Sequence, residues 1–187
     1  MSRQEVTAVQ TITVIGAGLA GSEAAWQIAK RGIAVKLYEM RPHTKTPAHE
    51  TGHFAELVCS NSLGSQLEST AGGLLKAELE RFGSLVLEVA RRSSVPAGGA
   101  LAVDRHLFAS SITKRLENEP LIEVVRAECR TIPKGIVVIA TGPLSSAAIT
   151  AELQALTQRD NLFFYDAAAP IVVGESVDYA RGFWAAR

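Results

Sequence analysis

Gly16, Gly18 and Gly21 follow the apolar run Thr13-Val14-Ile15 in a G-x-G-x-x-G spacing. This spacing suits anion binding by the main chain. Gly16 permits a tight turn, and Gly18 lets the backbone approach a pyrophosphate. Gly21 lets the following helix pack close to the strand. The intervening Ala17, Leu19 and Ala20 add backbone N–H groups that face the anion at the helix start. A second apolar run, Ile33 to Tyr38, ends in Glu39, whose carboxylate can accept a hydrogen bond from a ribose hydroxyl. The glycines alone would describe only a tight turn in some α/β protein. Strand, glycines, helix, second strand and terminal acid together predict binding of an adenine dinucleotide.

Other residues refine that chemistry. Arg41 lies just past the second strand, where an arginine can read a 2′-phosphate, but Glu39 would repel such a group. The pair therefore favours a free ribose hydroxyl, as in FAD. That leaves Arg41 to a pyrophosphate, to RNA, or to a solvated or structural place. A further strand, Ile136 to Ala140, runs into Thr141-Gly142, where the chain would pass the dinucleotide a second time. This pattern recurs in flavoproteins and favours FAD over NAD. Cys59 reads either as a small buried hydrophobe or as a thiol whose reactivity needs a lowered pKa. Ser60, Asn61 and Ser62 offer hydroxyl and amide partners to a flavin edge or to backbone, or cap a turn before the next helix. His43, Lys45, His49 and His53 share one loop, match no metal spacing and are expected to be exposed. With Arg41 they would form a modest cationic surface. Lys76 and Glu80 have the i, i+4 spacing of a helix ion pair, and Arg91-Arg92 reads as a solvated face.

These residues need a scaffold, and the periodicity supplies one. Strands are expected at 11–15 and 33–38, joined by a helix over 19–31 with a small-residue face that Gly32 stops. The near-continuous apolar character of both strands suits a parallel sheet covered on both faces. Residues 40–66 show no long periodicity and read as a functional loop. Helices follow at 70–81, 85–92 and 105–118, the last capped by Asp104. The paired Gly98-Gly99 suggest a turn, 121–126 a strand, 145–156 a helix and 162–165 a short strand. The expected class is α/β, a Rossmann-like FAD-binding domain with a parallel sheet and an inserted loop and helical region at about 40–105.

At 187 residues and 47% hydrophobic, the chain has material for one domain with a real core. Lys+Arg and Asp+Glu are both 19, which excludes a strongly basic nucleic-acid binder but not a local patch. Cys59 and Cys129 are far apart, so a disulfide framework is not expected and a reducing compartment is. The first ten residues lack the apolar stretch of a signal peptide, and no run approaches a membrane span. A soluble cytoplasmic protein is the expectation.

Beyond the fingerprint, Tyr38-Glu39-Met40-Arg41-Pro42, Glu56-Leu57-Val58-Cys59-Ser60-Asn61-Ser62-Leu63 and Val95 to Arg105 carry a more specific likeness. Ile139 to Leu144 and Phe164 to Val172 extend it. On these blocks the chain resembles the folate- and FAD-dependent tRNA (uracil-5-)-methyltransferases over nearly its whole length. The resemblance implies that methylenetetrahydrofolate donates a methylene and that reduced flavin supplies the electrons that make it a methyl. Carbon 5 of a T-loop uridine in tRNA accepts it, and NADH or NADPH regenerates the flavin. It also implies that Cys59 sits beside the flavin as a catalytic thiol. No metal is expected.

The family runs to well over twice this length, so the resemblance also implies a fragment. The rest of the sheet, a second domain and another active-site cysteine would be missing, and Cys129 matches no family motif. Such a chain is expected to be inactive alone, and exposed apolar surface would favour self-association or pairing with a missing half. Three other readings differ in class. One is the related FAD and folate enzyme of the wobble uridine, whose cysteine motif differs from Cys59-Ser60-Asn61-Ser62. Another is a general FAD or NAD oxidoreductase, which leaves the middle motifs unexplained. The third is a non-catalytic FAD-binding remnant or half of a split enzyme.

Overall fold

The computed structural model describes residues 11–158, 173–178 and 180–181. Strand β1 (Ile12–Ile15) leads through the glycine turn into helix α1 (Leu19–Ala29), and β2 (Val35–Tyr38) returns beside it. β1 and β2 pair in parallel, with Ile12 opposite Val35 and Ile15 opposite Tyr38. Among the described residues two later strands join this sheet. β6 (Ile122–Val125) lies parallel to β2, and β7 (Val137–Ile139) lies parallel to β1 on its other side. The order β6-β2-β1-β7 puts the chain's reversal point at β1: β2 leaves to one side and β7 arrives on the other. In an open parallel sheet the crevice at that point, beyond the strands' carboxyl ends, is where ligands bind.

A second sheet was not expected. β3 (Ser62–Ser65), β4 (Ser94–Val95) and β5 (Ala100–Val103) form an antiparallel sheet in the order β3-β5-β4. Its outer strands hold two and four residues, rich in serine and glycine, and show no alternation of apolar and polar positions. The reading of 40–66 as one loop therefore ends at Ser62, and the Gly98-Gly99 turn proves to be the link between β4 and β5. Helices α2 (Ala71–Arg81) and α3 (Leu85–Arg92) fill the space between β3 and β4, and α4 (Arg105–Glu117) leads from β5 to β6. α5 (Ala147–Thr157) follows β7. The short strand expected at 162–165, the block from Phe164 to Val172 and the apolar end at 183–186 lie outside the described residues.

One core joins the two sheets. Val14 and Leu37 of the parallel sheet, Trp26 of α1, Leu85 of α3, Leu101 of β5 and Phe108 and Ile112 of α4 belong to one buried cluster. Glu23 of α1 ties the layers further. Its carboxylate accepts from Ser84 Oγ and from the N–H groups of Leu85 and Val86, so a negative charge sits at the N-terminus of α3. The expected Lys76–Glu80 pair does not form. Lys76 turns inward to donate to the carbonyls of Ser65 and Gly72, and Glu80 pairs with Arg91 instead.

Candidate functional site

Among the described residues, four of the five α-helices begin with a side-chain cap: Thr70 for α2, Ser84 for α3, Asp104 for α4 and Ser146 for α5. Helix α1 begins on Gly18 with no side-chain cap and no acid in its first turn. A cap at such a place contributes about 1 kcal/mol, so its omission leaves the positive helix end and its free N–H groups open to an external anion. A Cβ at Gly18 would meet nothing within 4 Å, so the backbone there borders open space. Gly16 holds φ at +93°, and a Cβ on it would sit 2.7 Å from the carbonyl oxygen of Ala140. At Gly21 a Cβ would lie 1.8 Å from the carbonyl oxygen of Gly16. The first and third glycines thus hold the turn together, and the second keeps its face clear.

That face opens on a cavity of about 270 Å³ at the carboxyl ends of the parallel strands. Gly16, Gly18, Leu19 and Ala20 form one wall, Glu39 and Arg41 a second, and Thr141 and Gly142 a third. Ala17 is buried and contributes its backbone, donating to Glu39 Oε2 at 3.0 Å. Gly21 lies beneath the turn.

Glu39 is 5% exposed and Arg41 2%. The guanidinium lies side-on to the carboxylate, with Nε 2.9 Å from Oε1 and Nη2 3.1 Å from Oε2, and the Arg41 N–H also donates to Oε1. Arg41 Nη1 then donates to Glu56 Oε2 at 2.9 Å. Glu56 in turn accepts from the N–H groups of Glu50 and Thr51 and from the Thr51 hydroxyl. The solvated place open to Arg41 is therefore excluded; it is a buried bridge between two carboxylates. Burial pushes the Glu39 carboxyl up, but hydrogen bonds and charge from Arg41 and the Ala17 N–H outweigh it and leave the group below its ordinary range. Glu56 is likewise lowered, its burial outweighed by the Glu50 and Thr51 donors and by Arg41. A ribose hydroxyl that reaches Glu39 joins or replaces one of four existing donors.

The loop histidines separate. His43 is exposed, as expected. His49 lines the cavity, hydrogen-bonded to Thr46, and burial together with the Arg41 charge lowers its pKa. That shift disfavours the charged form a cationic surface would need.

The Cys59 segment stands apart from the cavity. Cys59 is exposed, which removes the buried-hydrophobe reading, and the cavity wall reaches only its neighbour Val58. Ser60 Oγ and Ser62 Oγ accept from the N–H groups of Ser62 and Gly64, and the Asn61 amide donates to the Val103 carbonyl. These bonds fix the start of a strand, not of a helix.

Cys129, which matches no motif, stands in the cavity wall with Ala127 and Glu128, and burial pushes its thiol up. The three residues follow β6, so they face the crevice as the ends of β1 and β2 do. The sheet order carries that signal; local sequence does not. Among the described residues no cluster of His, Cys, Asp and Glu is placed to hold a metal, and no helix is long and apolar enough to cross a membrane.

Comparison with known proteins adds kinship to this geometry. The profile of the family described as glucose inhibited division protein A matches residues 11–187. The chain is similar to a methylenetetrahydrofolate--tRNA-(uracil-5-)-methyltransferase TrmFO of Brevibacillus brevis, with 59% identity over 177 residues, 95% of this chain and 40% of that protein. Proteins of the same name from Bacillus subtilis and Aquifex aeolicus are 57% and 55% identical over 95% of this chain. The chain spans about two fifths of the length of these curated relatives. Among solved structures, GidA of Aquifex aeolicus superposes with a TM-score of 0.57 at 17% identity, covering 75% of this chain and 26% of that one, a likeness of fold.

Proposed function

The chain belongs to the glucose inhibited division protein A family, and from that premise we propose that its cavity binds the ADP half of FAD within a folate-dependent tRNA (uracil-5-)-methyltransferase. The observation that carries the reading is the uncapped start of α1 facing open space at Gly18, with Glu39 beside it at the strand ends. The free N–H groups of α1 bind the pyrophosphate, Glu39 accepts from the ribose, and Thr141 and Gly142 border the cofactor's second crossing. When bound, FAD supplies the two-electron chemistry that turns a transferred methylene into a methyl. NADH or NADPH is the electron source in this reading, methylenetetrahydrofolate the carbon donor, and tRNA the acceptor. Cys59, exposed on the segment between Val58 and β3, supplies the thiol of the transfer step, with Ser60, Asn61 and Ser62 holding its backbone. Cytoplasmic residence accords with that substrate.

Flavin retention separates binding from folding. The purified chain is expected to take up FAD and show its visible absorbance. Gly18→Asp is expected to fold with a melting temperature no lower, because aspartate caps α1, yet to lose at least about tenfold in FAD affinity by placing a carboxylate against the pyrophosphate. A folded, colourless wild-type chain that takes up no FAD in a titration sinks the reading. Methyl transfer to unmodified tRNA from methylenetetrahydrofolate, in the presence of FAD and reduced nicotinamide, tests the wider assignment. It is not expected of this chain alone, which spans about two fifths of its relatives. In the chain joined to the part of a relative that it does not span, loss of transfer in Cys59→Ser, with FAD still bound, tests the thiol.

A further inference from the structure

Arg41 stands where an arginine after the second strand would meet a 2′-phosphate, yet its charge is flanked by two carboxylates. Glu39 engages Nε and Nη2, and Glu56 engages Nη1. Glu56 is not free to swing away. Its two oxygens are held by the N–H groups of Glu50 and Thr51 and by the Thr51 hydroxyl, all on one turn of the 42–57 segment. That turn is itself anchored: Arg126 donates to the carbonyls of Gly52 and Arg41 and stacks on Phe54. Glu128, paired with Arg130, lines the same cavity. The cavity lining therefore includes three carboxylates and one buried guanidinium.

Building on the dinucleotide reading, we propose that Glu56 is a specificity-determining residue that acts through Arg41. By holding Nη1 it keeps the guanidinium along Glu39 and the corner negative. An adenosine ribose with a free 2′-hydroxyl is accepted, and one bearing a 2′-phosphate is rejected. Neither residue is catalytic; Glu56 positions Arg41, and Arg41 positions Glu39. Strand-end acids commonly select a free hydroxyl, but here the rejection depends on a second carboxylate from a loop 15 residues beyond Arg41.

The test compares ADP-ribose with 2′-phospho-ADP-ribose, which differ only in that phosphate, as competitors of FAD on the 187-residue chain. The wild-type chain is expected to prefer ADP-ribose. Glu56→Gln keeps the shape but removes a charge and loosens Nη1, and is expected to shrink that preference by about tenfold, 2′-phospho-ADP-ribose gaining relative to ADP-ribose. Thr51→Val, which removes one group fixing Glu56, should shift the ratio the same way by a smaller factor and serves if Glu56→Gln does not fold. A purely structural Glu56 would weaken both competitors equally, and that result overturns the proposal. So does equal binding of the two by the wild-type chain, or FAD binding that neither displaces. If FAD itself does not bind, the dinucleotide reading falls first.

Discussion

Gly21→Ala is expected to destabilise the chain by about 3 kcal/mol, at the upper end of the cost of overpacking, and to abolish FAD retention with it. The added Cβ would stand 1.8 Å from the oxygen and 2.9 Å from the carbon of the Gly16 carbonyl. Both are main-chain atoms, so no side chain can rotate to make room. Either α1 backs away from β1 or the turn at Gly16 opens, and each destroys the face at Gly18. Helix propensity pulls the other way, since alanine within a helix is favoured over glycine by about 1 kcal/mol. Gly72→Ala in α2 provides the contrast. There the new Cβ meets only Lys76 Nζ and the Ser65 carbonyl at 3.8 Å, ordinary contact, so a gain of a few tenths of a kcal/mol is expected. Urea denaturation of both variants measures the difference. A Gly21→Ala chain as stable as the wild type would show that helix and strand do not meet this closely.

The fingerprint was legible because each of its positions excludes other residue types for a local reason. A positive φ at Gly16 and a main-chain contact at Gly21 leave their mark in a single sequence. β1 was legible for a similar reason, its Thr13-Val14-Ile15 run being buried. The expectation of a sheet covered on both faces does not hold: β2 alternates buried and half-buried positions, and its Lys36 pairs with exposed Glu123 of β6. The antiparallel sheet had no such mark. Ser62–Ser65 and Ser94–Val95 are strands because β5 between them supplies partners, with Ser94 opposite Val103 and Ser65 opposite Ala100. Nothing in their own composition requires it.

At the site, the wall of Gly16, Gly18, Glu39 and Arg41 is legible in the sequence and the wall formed by Ala127, Glu128 and Cys129 is not. Ala127, Glu128 and Cys129 reach the cavity only because β6 pairs with β2 across more than eighty residues of chain. Arg41 and Glu56 meet within a segment that has no period to reveal the contact. Lys76 illustrates the opposite error. A helix spacing suggested a surface pair, but two carbonyls offered its ammonium a buried place, and Glu80 found Arg91 across α2 and α3.

Arg41→Met has the second large effect and reverses the response to acid. Removing the cation leaves Glu39 nearly buried beside Glu56, and breaking a buried pair by deleting one partner costs about 3–5 kcal/mol. In the wild type both carboxyls lie below the ordinary value of 4.5. A carboxyl whose folded pKa is below its unfolded one contributes stability that is present above the unfolded value. That stability is lost as pH falls through the folded one. The wild-type contribution is therefore constant near neutrality and declines as pH drops below 4.5 toward the lowered folded values. In Arg41→Met the burial that raises Glu39 is no longer opposed by a guanidinium, so its folded pKa is expected above the unfolded value. Protonation then relieves the variant, and its stability relative to wild type should recover as pH is lowered from 7 toward 5. Melting temperatures of the two chains across that range measure the difference directly. Parallel curves would mean that Arg41 does not set the charge state of the corner, and the ribose-binding role of Glu39 would lose its electrostatic support.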